Sequence, residues 1–485
     1  MIRSERKLLL PPDSSNMIRL LFPLLLWFFI SNQSKAQCNC AENFEFVYKK
    51  IESNYAGWKD KTAIDPGGFK QFTEQQQQKA FIETNKDYCY KIIHDWLEYF
   101  RDHHTHLYTE TPAVNVDGKT PQAIREYFGS TEGIENPEVK ETQGIEDVWQ
   151  MSPNYTLAIV KNKTAHRDYA GVIIKADSIF WLPGQVKLEL KEVSNGKFSV
   201  IVYMRDHSMR LSNATLEGDE LKLENFAALR RVKSKFGPDT AMRTEVISRN
   251  FEIKKLNYTT LYFRMPSFNH ELKQKVDSII KANHELIAET PNLIIDVRNN
   301  GGGSDITYSD IIPYLYTNPI KLINNSILST PDNIAKFESI LTDPGYPESS
   351  KQYIRDLVER LKKNPGKFVR KDDETITQRN KLTFPKNVIV LINNNCASSC
   401  EEFVLAVKQS KKVTLMGENT LGVLDYANVH TLDLPCTGWG LQYATSRTNR
   451  LPDYPIDNIG IEPAVKIPDH VNWVDFALEY LKSKR

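Results

Sequence analysis

One loop of the sequence places a serine where it could do chemistry. The run 393–402 joins an apolar stretch to a predicted helix, and Ser398 stands at the corner between them. At a helix N-terminus, free backbone N–H groups could stabilise an oxyanion close to the serine hydroxyl. A serine is also a common N-cap, whose hydroxyl only accepts a hydrogen bond from the helix backbone. On these residues alone, both interpretations stand.

A second loop, at 296–304, is rich in glycine. It reads Asp-Val-Arg-Asn-Asn-Gly-Gly-Gly-Ser and follows an apolar run directly. Glycines allow backbone angles and close approaches that other residues do not, and they leave N–H groups free to point at an anion. A tight turn explains the same glycines. A phosphate-binding loop does not fit, because the run lacks the required glycine spacing and lysine.

The elements around these loops alternate apolar strands with helices. Apolar strands are predicted at 293–297 and 388–392, and helices near 271–287 and 401–408. Strands that are apolar throughout are typical of a sheet buried on both faces. We therefore predict an α/β core over 258–485, with each loop at the end of a strand.

Two further regions precede this core. Residues 37–125 have apolar residues at helical spacing, which predicts helices there, including a long one at 75–101. The histidine-rich loop 102–106 follows that helix. Residues 140–255 alternate short strands with turn residues, which is typical of an antiparallel β domain. The sequence thus predicts a helical N-terminal segment and a separate β-rich domain of unknown role.

Three motifs, in order along the chain, resemble those of the tail-specific or C-terminal processing serine peptidase family, which includes the tricorn protease. An apolar strand with Asp-x-Arg-x-Asn-Gly-Gly-Gly occupies 293–303, Ala-Ser-x-x-Glu occupies 397–401, and Gly-Glu-x-Thr-x-Gly occupies 417–422. The likeness covers roughly 258–470. Three ordered motifs make the resemblance specific.

The resemblance implies a fold, a reaction and a set of roles. The core is expected to be of crotonase and Clp-protease type, built from stacked β-β-α units. Ser398 is expected to be the nucleophile of an endopeptidase that forms an acyl-enzyme, with no cofactor and no metal. The oxyanion hole would use the N–H of Ser399 and that of Gly302 or Gly303.

One position departs from the processing-peptidase branch. There a lysine base follows Thr-x-Gly, but Val423 occupies that position here. The tricorn-like branch instead has a histidine in Asp-x-His-Thr-x-Leu and an acid ahead of Gly-Ile-x-Pro. Residues 102–107 fit the first pattern and select His104, and residues 457–463 fit the second and select Asp457. An imidazole suits a base at neutral pH, and an acid can orient it.

Other interpretations use some of the same residues. His103, His104 and His106 could bind zinc, although no second ligand motif accompanies them. Cys400 also flanks the helix start, where the pKa of a thiol can fall, but an oxidising compartment favours pairing it, for example with Cys396. The alternative function is a non-catalytic peptide- or ligand-binding protein on the same fold, which the retained catalytic pattern disfavours.

The N-terminus predicts export. Arg19 precedes an apolar run at 20–30 and the triplet Ser34-Lys35-Ala36, a pattern typical of a secretory signal over 1–36. This run is shorter than the roughly 20 residues that a spanning helix needs. We therefore expect a periplasmic or extracellular protein with no stable membrane span after signal removal.

Charge and cysteine content bear on partners and compartment. The charges of the 62 basic and 61 acidic residues nearly cancel, so no net field attracts nucleic acid.

In an oxidising compartment some of the six cysteines could pair, for example one of the Cys38-Asn39-Cys40 run with Cys89. The sequence indicates no oligomeric state. The expected partner is a peptide or an unfolded-protein substrate.

Overall fold

The structure is a computed structural model in which most of the chain beyond residue 37 is described. The described residues are 38–109, 144–152, 155–163, 167–176, 180–204, 209–224, 226, 228–232, 247–344, 346, 348–468 and 471–483. The predicted signal segment 1–36 lies outside them, as does the part of the helical segment from 110 to 125. Residues 38–485 form one compact unit.

The N-terminal segment is helical and ends in a short strand. Its elements are α1 (Cys40–Asn54), α2 (Trp58–Thr62), α3 (Pro66–Ile82), α4 (Lys86–Leu97), a 3-10 turn (Glu98–Phe100) and strand β1 (His106–Thr109). The prediction of one helix over 75–101 is wrong. The chain leaves the helix after Ile82, and Asn85 starts a new one because its side-chain oxygen accepts from the N–H of Asp87 and of Tyr88.

A closed antiparallel barrel follows. Its strands are β2 (Asp147–Ser152), β3 (Tyr155–Lys161), β4 (Tyr169–Lys175), β5 (Val186–Ser194), β6 (Lys197–Tyr203), β7 (Met209–Glu217), β8 (Glu220–Leu223) and β9 (Leu229–Arg231). Each strand pairs with the next, and β2 also pairs with β9. Alternate residues such as Leu188, Leu190 and Val200 fill its core. Closure removes the sheet edges that would otherwise be free to pair.

The remaining strands belong to the C-terminal half of the chain. They are β10 (Glu252–Asn257), β11 (Thr260–Arg264), β12 (Asn292–Asp296), β13 (Ile320–Leu322), β14 (Asn325–Leu328), β15 (Phe368–Arg370), β16 (Glu374–Ile376), β17 (Asn387–Ile392), β18 (Val413–Gly417), β19 (Tyr426–Asp433), β20 (Trp439–Thr448) and β21 (Val465–Lys466). One sheet has the order β10-β11-β12-β17-β18-β21 and is parallel except between β10 and β11. An antiparallel sheet has the order β1-β20-β14-β15, with β19 also paired to β20, and β13 pairs with β16.

The helices of the C-terminal half pack on both faces of the parallel sheet and on the antiparallel sheet. They are α5 (Lys273–Ala282), α6 (His284–Glu289), α7 (Ile312–Leu315), α8 (Pro331–Thr342), α9 (Glu348–Lys362), α10 (Ser399–Val407) and α11 (Trp473–Ser483). In β12, Leu293 and Ile295 pack with α5 and α10, whereas Ile294 packs with Trp473 on the other face. The chain therefore combines an α/β core with an antiparallel barrel. The crotonase and Clp-protease type of the core stays a prediction.

Parallel pairing brings the predicted functional loops together. Strands β12, β17 and β18 are neighbours and run in the same direction, so their carboxyl ends share one edge of the sheet. The glycine-rich loop, the Ser398 loop and the segment after Gly417 therefore lie side by side. Strand β1 pairs with β20, and β20 pairs with β19, which brings the histidine-rich loop to the same edge.

Two disulfides tie the helical segment in place. Cys40 is bonded to Cys89, which joins α1 to α4, and Cys38 is bonded to Cys436, in the turn between β19 and β20. Cys396 and Cys400 are free and buried, so the pairing considered for them is wrong. None of the helices in the described ranges has the length and apolar character that crossing a membrane requires.

Candidate active site

Ser398 occupies the sharp corner between β17 and α10. Its backbone has φ 56° and ψ −124°, a combination that residues with a side chain rarely adopt and that costs free energy. Its N–H donates to Glu401 Oε2 at 3.0 Å, which holds the helix start. Its Oγ lies 3.2 Å from Nε2 of His104. The hydroxyl is therefore directed at an imidazole.

The other ring nitrogen of His104 determines its tautomer. Nδ1 lies 2.6 Å from the backbone oxygen of Tyr426. A carbonyl oxygen can only accept, so Nδ1 carries the hydrogen, and Nε2 presents its lone pair to Ser398. The backbone N–H of His104 donates to Asp102 Oδ1 at 2.9 Å, and Arg101 adopts a left-handed conformation (φ 47°) that turns the chain into this loop. The imidazole is placed as an acceptor for the serine proton.

The neighbouring histidines face other groups. His103 Nε2 lies 3.7 Å from Glu224 Oε1, and His106 Nδ1 lies 3.0 Å from the carbonyl oxygen of His103. Burial lowers the pKa of His106 below its ordinary value. Across the described ranges, no three His, Cys, Asp or Glu side chains are arranged to hold a metal ion. Nothing in the described residues thus supports the zinc interpretation.

The glycine-rich loop packs against the backbone at Ser398. A Cβ on Gly302 (φ +94°) would lie 2.6 Å from the oxygen of Ala397 and 2.9 Å from the nitrogen of Ser399, so only glycine fits. The Gly302 N–H donates to Asn300 Oδ1 at 2.9 Å. The N–H groups of Gly303 and Ser399 have no hydrogen-bond acceptor within the described part of the chain. Of the predicted donors, these two are therefore free to bind an oxyanion.

Glu401 joins the serine corner to the segment after β18. This buried carboxylate accepts from the N–H of Ser398 (3.0 Å), of Gly422 (2.9 Å) and of Val423 (2.8 Å). It also accepts from the hydroxyl of Thr420 at 2.5 Å. These contacts explain why a glutamate stands three residues after the serine in this motif. Glu401 belongs to the motif at 397–401, but the sequence alone indicates no role for it.

Asp457 contacts the backbone of the segment that leads to Tyr426. Its Oδ1 accepts from the N–H of Leu424 (2.8 Å) and of Asp425 (2.7 Å). Burial, followed by the nearby charges of Asp102 and Asp425, raises the pKa of Asp457 to about 8. No hydrogen bond joins it to His104 among the described residues. Its role as an orienting acid stays a prediction, since the group on Nδ1 is a backbone carbonyl.

The two alternatives to a serine–histidine mechanism, a cysteine nucleophile and a lysine base, lack support at the site. Cys400 is fully buried in the apolar core, and burial raises the pKa of its thiol well above the ordinary value. It is therefore a poor nucleophile. Val423 is buried beside the site, and none of the described residues that line the cavity in front of Ser398 is a lysine.

A cleft opens in front of the serine and histidine. A cavity of about 380 Å³ is bounded by the core, by the end of α4, by β1 and by residues 209–213 of the barrel. A second cavity, of about 640 Å³, continues between the barrel and the core. Both share Glu98, Asn213 and Glu224 as lining residues. The barrel is therefore one wall of the cleft.

Comparison with protein families decides what this arrangement is. Residues 259–467 match the model of peptidase family S41. This segment is similar to that family. The prediction of a serine-type peptidase, a hydrolase that acts on peptides, is confirmed. The more specific assignment to a tricorn-like branch without the lysine stays a prediction.

Several solved structures of low sequence identity are similar to this chain. A mature CPAF complexed with lactacystin is 15% identical, with a TM-score of 0.51 over 92% of this chain and 97% of that chain. A CPAF mutant is 14% identical, with a TM-score of 0.52 over 92% and 96%. The photosystem II D1 C-terminal processing protease is 15% identical, with a TM-score of 0.35 over 91% and 96%. No curated protein matches the chain.

Proposed function

We propose that this serine-type peptidase is an exported endopeptidase that cleaves peptide bonds through an acyl-enzyme at Ser398, with His104 as general base. The observation that carries the proposal is the contact of 3.2 Å between Ser398 Oγ and an unprotonated His104 Nε2. A serine hydroxyl is a weak nucleophile and needs an adjacent base. The carbonyl of Tyr426 on Nδ1 supplies the correct tautomer.

The reaction has two steps. Ser398 Oγ attacks the carbonyl carbon of the scissile bond while its proton passes to His104 Nε2. The oxyanion is held by the N–H groups of Ser399 and Gly303. His104 then gives the proton to the leaving amine, and the C–N bond breaks to leave an ester on Ser398. In the second step water attacks that ester while its proton passes to His104; the ester C–O bond then breaks, His104 returns the proton to Ser398 Oγ, and the carboxylic acid product leaves.

Export is supported by the cysteine chemistry. Four cysteines form two disulfides, Cys38–Cys436 and Cys40–Cys89, and such bonds persist in oxidising compartments. The predicted cleavage site lies just before the first bonded cysteine. N-terminal sequencing of the exported protein tests this proposal: we expect a chain that begins near Gln37, and a membrane-bound chain that retains residues 20–30 would contradict it.

The peptidase proposal is tested by cleavage of a peptide library. Ser398→Ala removes one hydroxyl and should lower kcat/KM by roughly 10³-fold or more, without unfolding the protein. Cys400→Ala, two residues away, is the matched control and should keep most of the activity. A folded, active Ser398→Ala variant would overturn the assignment, and a dead Cys400→Ala variant beside it would move the nucleophile to the thiol.

A further inference from the structure

A single segment, 420–426, contacts the supports of both proposed catalytic side chains. Near its start, the N–H groups of Gly422 and Val423 donate to Glu401, which also accepts from Ser398 N. At its end, the carbonyl oxygen of Tyr426 accepts from His104 Nδ1. The position of this segment therefore sets how the imidazole faces the serine.

Two aspartates fix the end of this segment by exchanging hydrogen bonds. Asp457 Oδ1 accepts from the N–H of Leu424 (2.8 Å) and of Asp425 (2.7 Å). In return, Asp425 Oδ2 accepts from the N–H of Ile456 (2.8 Å) and of Asp457 (2.9 Å). These four bonds, which we name the Asp425–Asp457 clasp, hold the residue directly before Tyr426.

Each aspartate has a second oxygen that the clasp does not use. Asp425 Oδ1 and Asp457 Oδ2 are buried and have no hydrogen-bond partner among the described residues. Among the described residues, Arg450 forms an ion pair with Asp425: its Nη2 is 4.0 Å from Asp425 Oδ1 and also donates to the carbonyl oxygen of Leu424 at 3.1 Å, whereas its Nη1 donates to Glu402 at 3.1 Å. Two neighbouring carboxylates, each with a buried oxygen that accepts no hydrogen bond, are costly when both are ionised.

The other titratable groups around the clasp do not relieve this cost. Asp102 adds negative charge, and its oxygens already accept from His104 N and from the hydroxyl of Thr105. The buried Tyr55 faces Asp102, and burial raises the pKa of this tyrosine well above its ordinary value. Tyr426 directs its hydroxyl to Asp60. The clasp therefore lies in a region of excess negative charge.

We propose that Asp425 and Asp457 are positioning residues, which hold the Tyr426 carbonyl against His104 Nδ1 through the four bonds of the clasp. This inference rests on the proposed function, in which His104 is the base. The acid predicted to orient the histidine thus acts through the backbone. Ionisation of Asp457 adds a negative charge that the nearby Asp102 and Asp425 disfavour, which loosens the carbonyl and the histidine tautomer that depends on it.

The direction of the pH effect follows from the raised pKa of Asp457, about 8. An unfolded aspartate has lost its proton above about pH 4, so between pH 4 and 8 the folded state binds the extra proton. Stability conferred by this proton declines as the pH rises through that range. Activity should fall as the pH passes about 8, because the carboxyl group of Asp457 then loses its proton.

The test compares Asp457→Asn with Asp457→Ala. Asparagine keeps an acceptor oxygen and cannot ionise, so this variant should lose the alkaline fall and should be at least fivefold more active at pH 7 than Asp457→Ala. Alanine removes the acceptor and should lower kcat at least tenfold with little change in KM. Asp453→Asn, an exposed acid on the neighbouring turn, is the matched control and should keep the wild-type pH profile.

Two results would overturn the clasp. One is an alkaline fall in Asp457→Asn that equals the fall of the wild type. The other is a wild-type kcat in a folded Asp457→Ala variant. If Ser398→Ala and His104→Ala are inactive in the same assay, either result removes the clasp alone. An active Ser398→Ala variant would instead remove the proposed function on which the clasp rests.

Discussion

At the scale of single residues, backbone groups position the side chains that the motifs select. The motif register selects His104, but no motif indicates that the carbonyl of Tyr426 would face its Nδ1 at 2.6 Å. Any residue type can supply a backbone carbonyl, so its position leaves no signal in the sequence. For the same reason the motif indicates the carboxylate of Asp457 as the partner of His104, whereas in the structure this carboxylate accepts from backbone N–H groups.

The proposed base predicts a clear difference among three adjacent histidines. His104→Ala should lower kcat/KM by roughly 10³-fold, because the proton on Ser398 then has no acceptor. His103→Ala and His106→Ala should stay within a fewfold of the wild type, since their ring nitrogens face Glu224 and a backbone carbonyl. The measurement is steady-state cleavage of the peptide library at pH 7 by the wild type and the three variants.

The same three variants also test whether the motif selects the correct histidine. An inactive His106→Ala variant beside an active His104→Ala variant would shift the base by two residues. If all three variants keep full activity, the base is not one of these histidines.

At the scale of elements, apolar runs predict the central strands well. The segments 293–297 and 388–392 were predicted as strands because they are apolar throughout, and β12 and β17 occupy them within one residue. Their parallel pairing then brings both loops to one edge. The break between α3 and α4 was missed because the signal is local: Asn85 caps a helix inside a pattern that otherwise continues.

The packing of the helical segment against the core cannot be predicted from local sequence patterns. His104 reaches Tyr426 across a separation of 322 residues, and the pairing of β1 with β20 spans a similar distance along the chain. Apolar contacts between α1, α4 and β20 bury residues such as Phe44, Trp96 and Tyr443. The two disulfides reinforce this docking.

Reduction of the disulfides should lower both stability and activity. Cys38–Cys436 and Cys40–Cys89 hold the segment that delivers His104, and each such bond typically stabilises by about 2–4 kcal/mol. We expect reduced protein to unfold at a lower temperature and to cleave peptides more slowly. A Cys38→Ser/Cys436→Ser double variant should show part of the loss, and reduction should then add the rest. An unchanged melting temperature after full reduction would contradict this account.

At the scale of the whole molecule, the barrel and the core enclose one cleft. The sequence predicted a β-rich region at 140–255 but assigned it no role, since no candidate catalytic residue lies there. In the structure, residues 209–213 of β7 line the cavity in front of Ser398. Asn213 also donates to Glu98 at 3.4 Å and to Glu224 at 3.0 Å. We therefore expect the barrel to affect the choice of substrate and not the chemistry.

A charge reversal on the barrel wall should change substrate choice alone. Arg210 is exposed and lines the cavity, so Arg210→Glu should shift the preference between acidic and basic peptides by roughly fivefold, as expected for an exposed charge pair. The matched control is Arg230→Glu, an exposed barrel residue paired with Glu220. Two results would contradict a role of Arg210 in substrate choice alone. One is an equal shift of preference in both variants, and the other is loss of Ser398 acylation in Arg210→Glu.

We expect Ser398 to be a nucleophile that His104 activates. The most direct measurement is labelling of the full-length protein with a fluorophosphonate probe, followed by mass spectrometry of its peptides. We predict a covalent adduct on Ser398 Oγ, no adduct in Ser398→Ala, and labelling slowed by at least two orders of magnitude in His104→Ala. An adduct on another residue, or undiminished labelling of Ser398→Ala, would contradict the account.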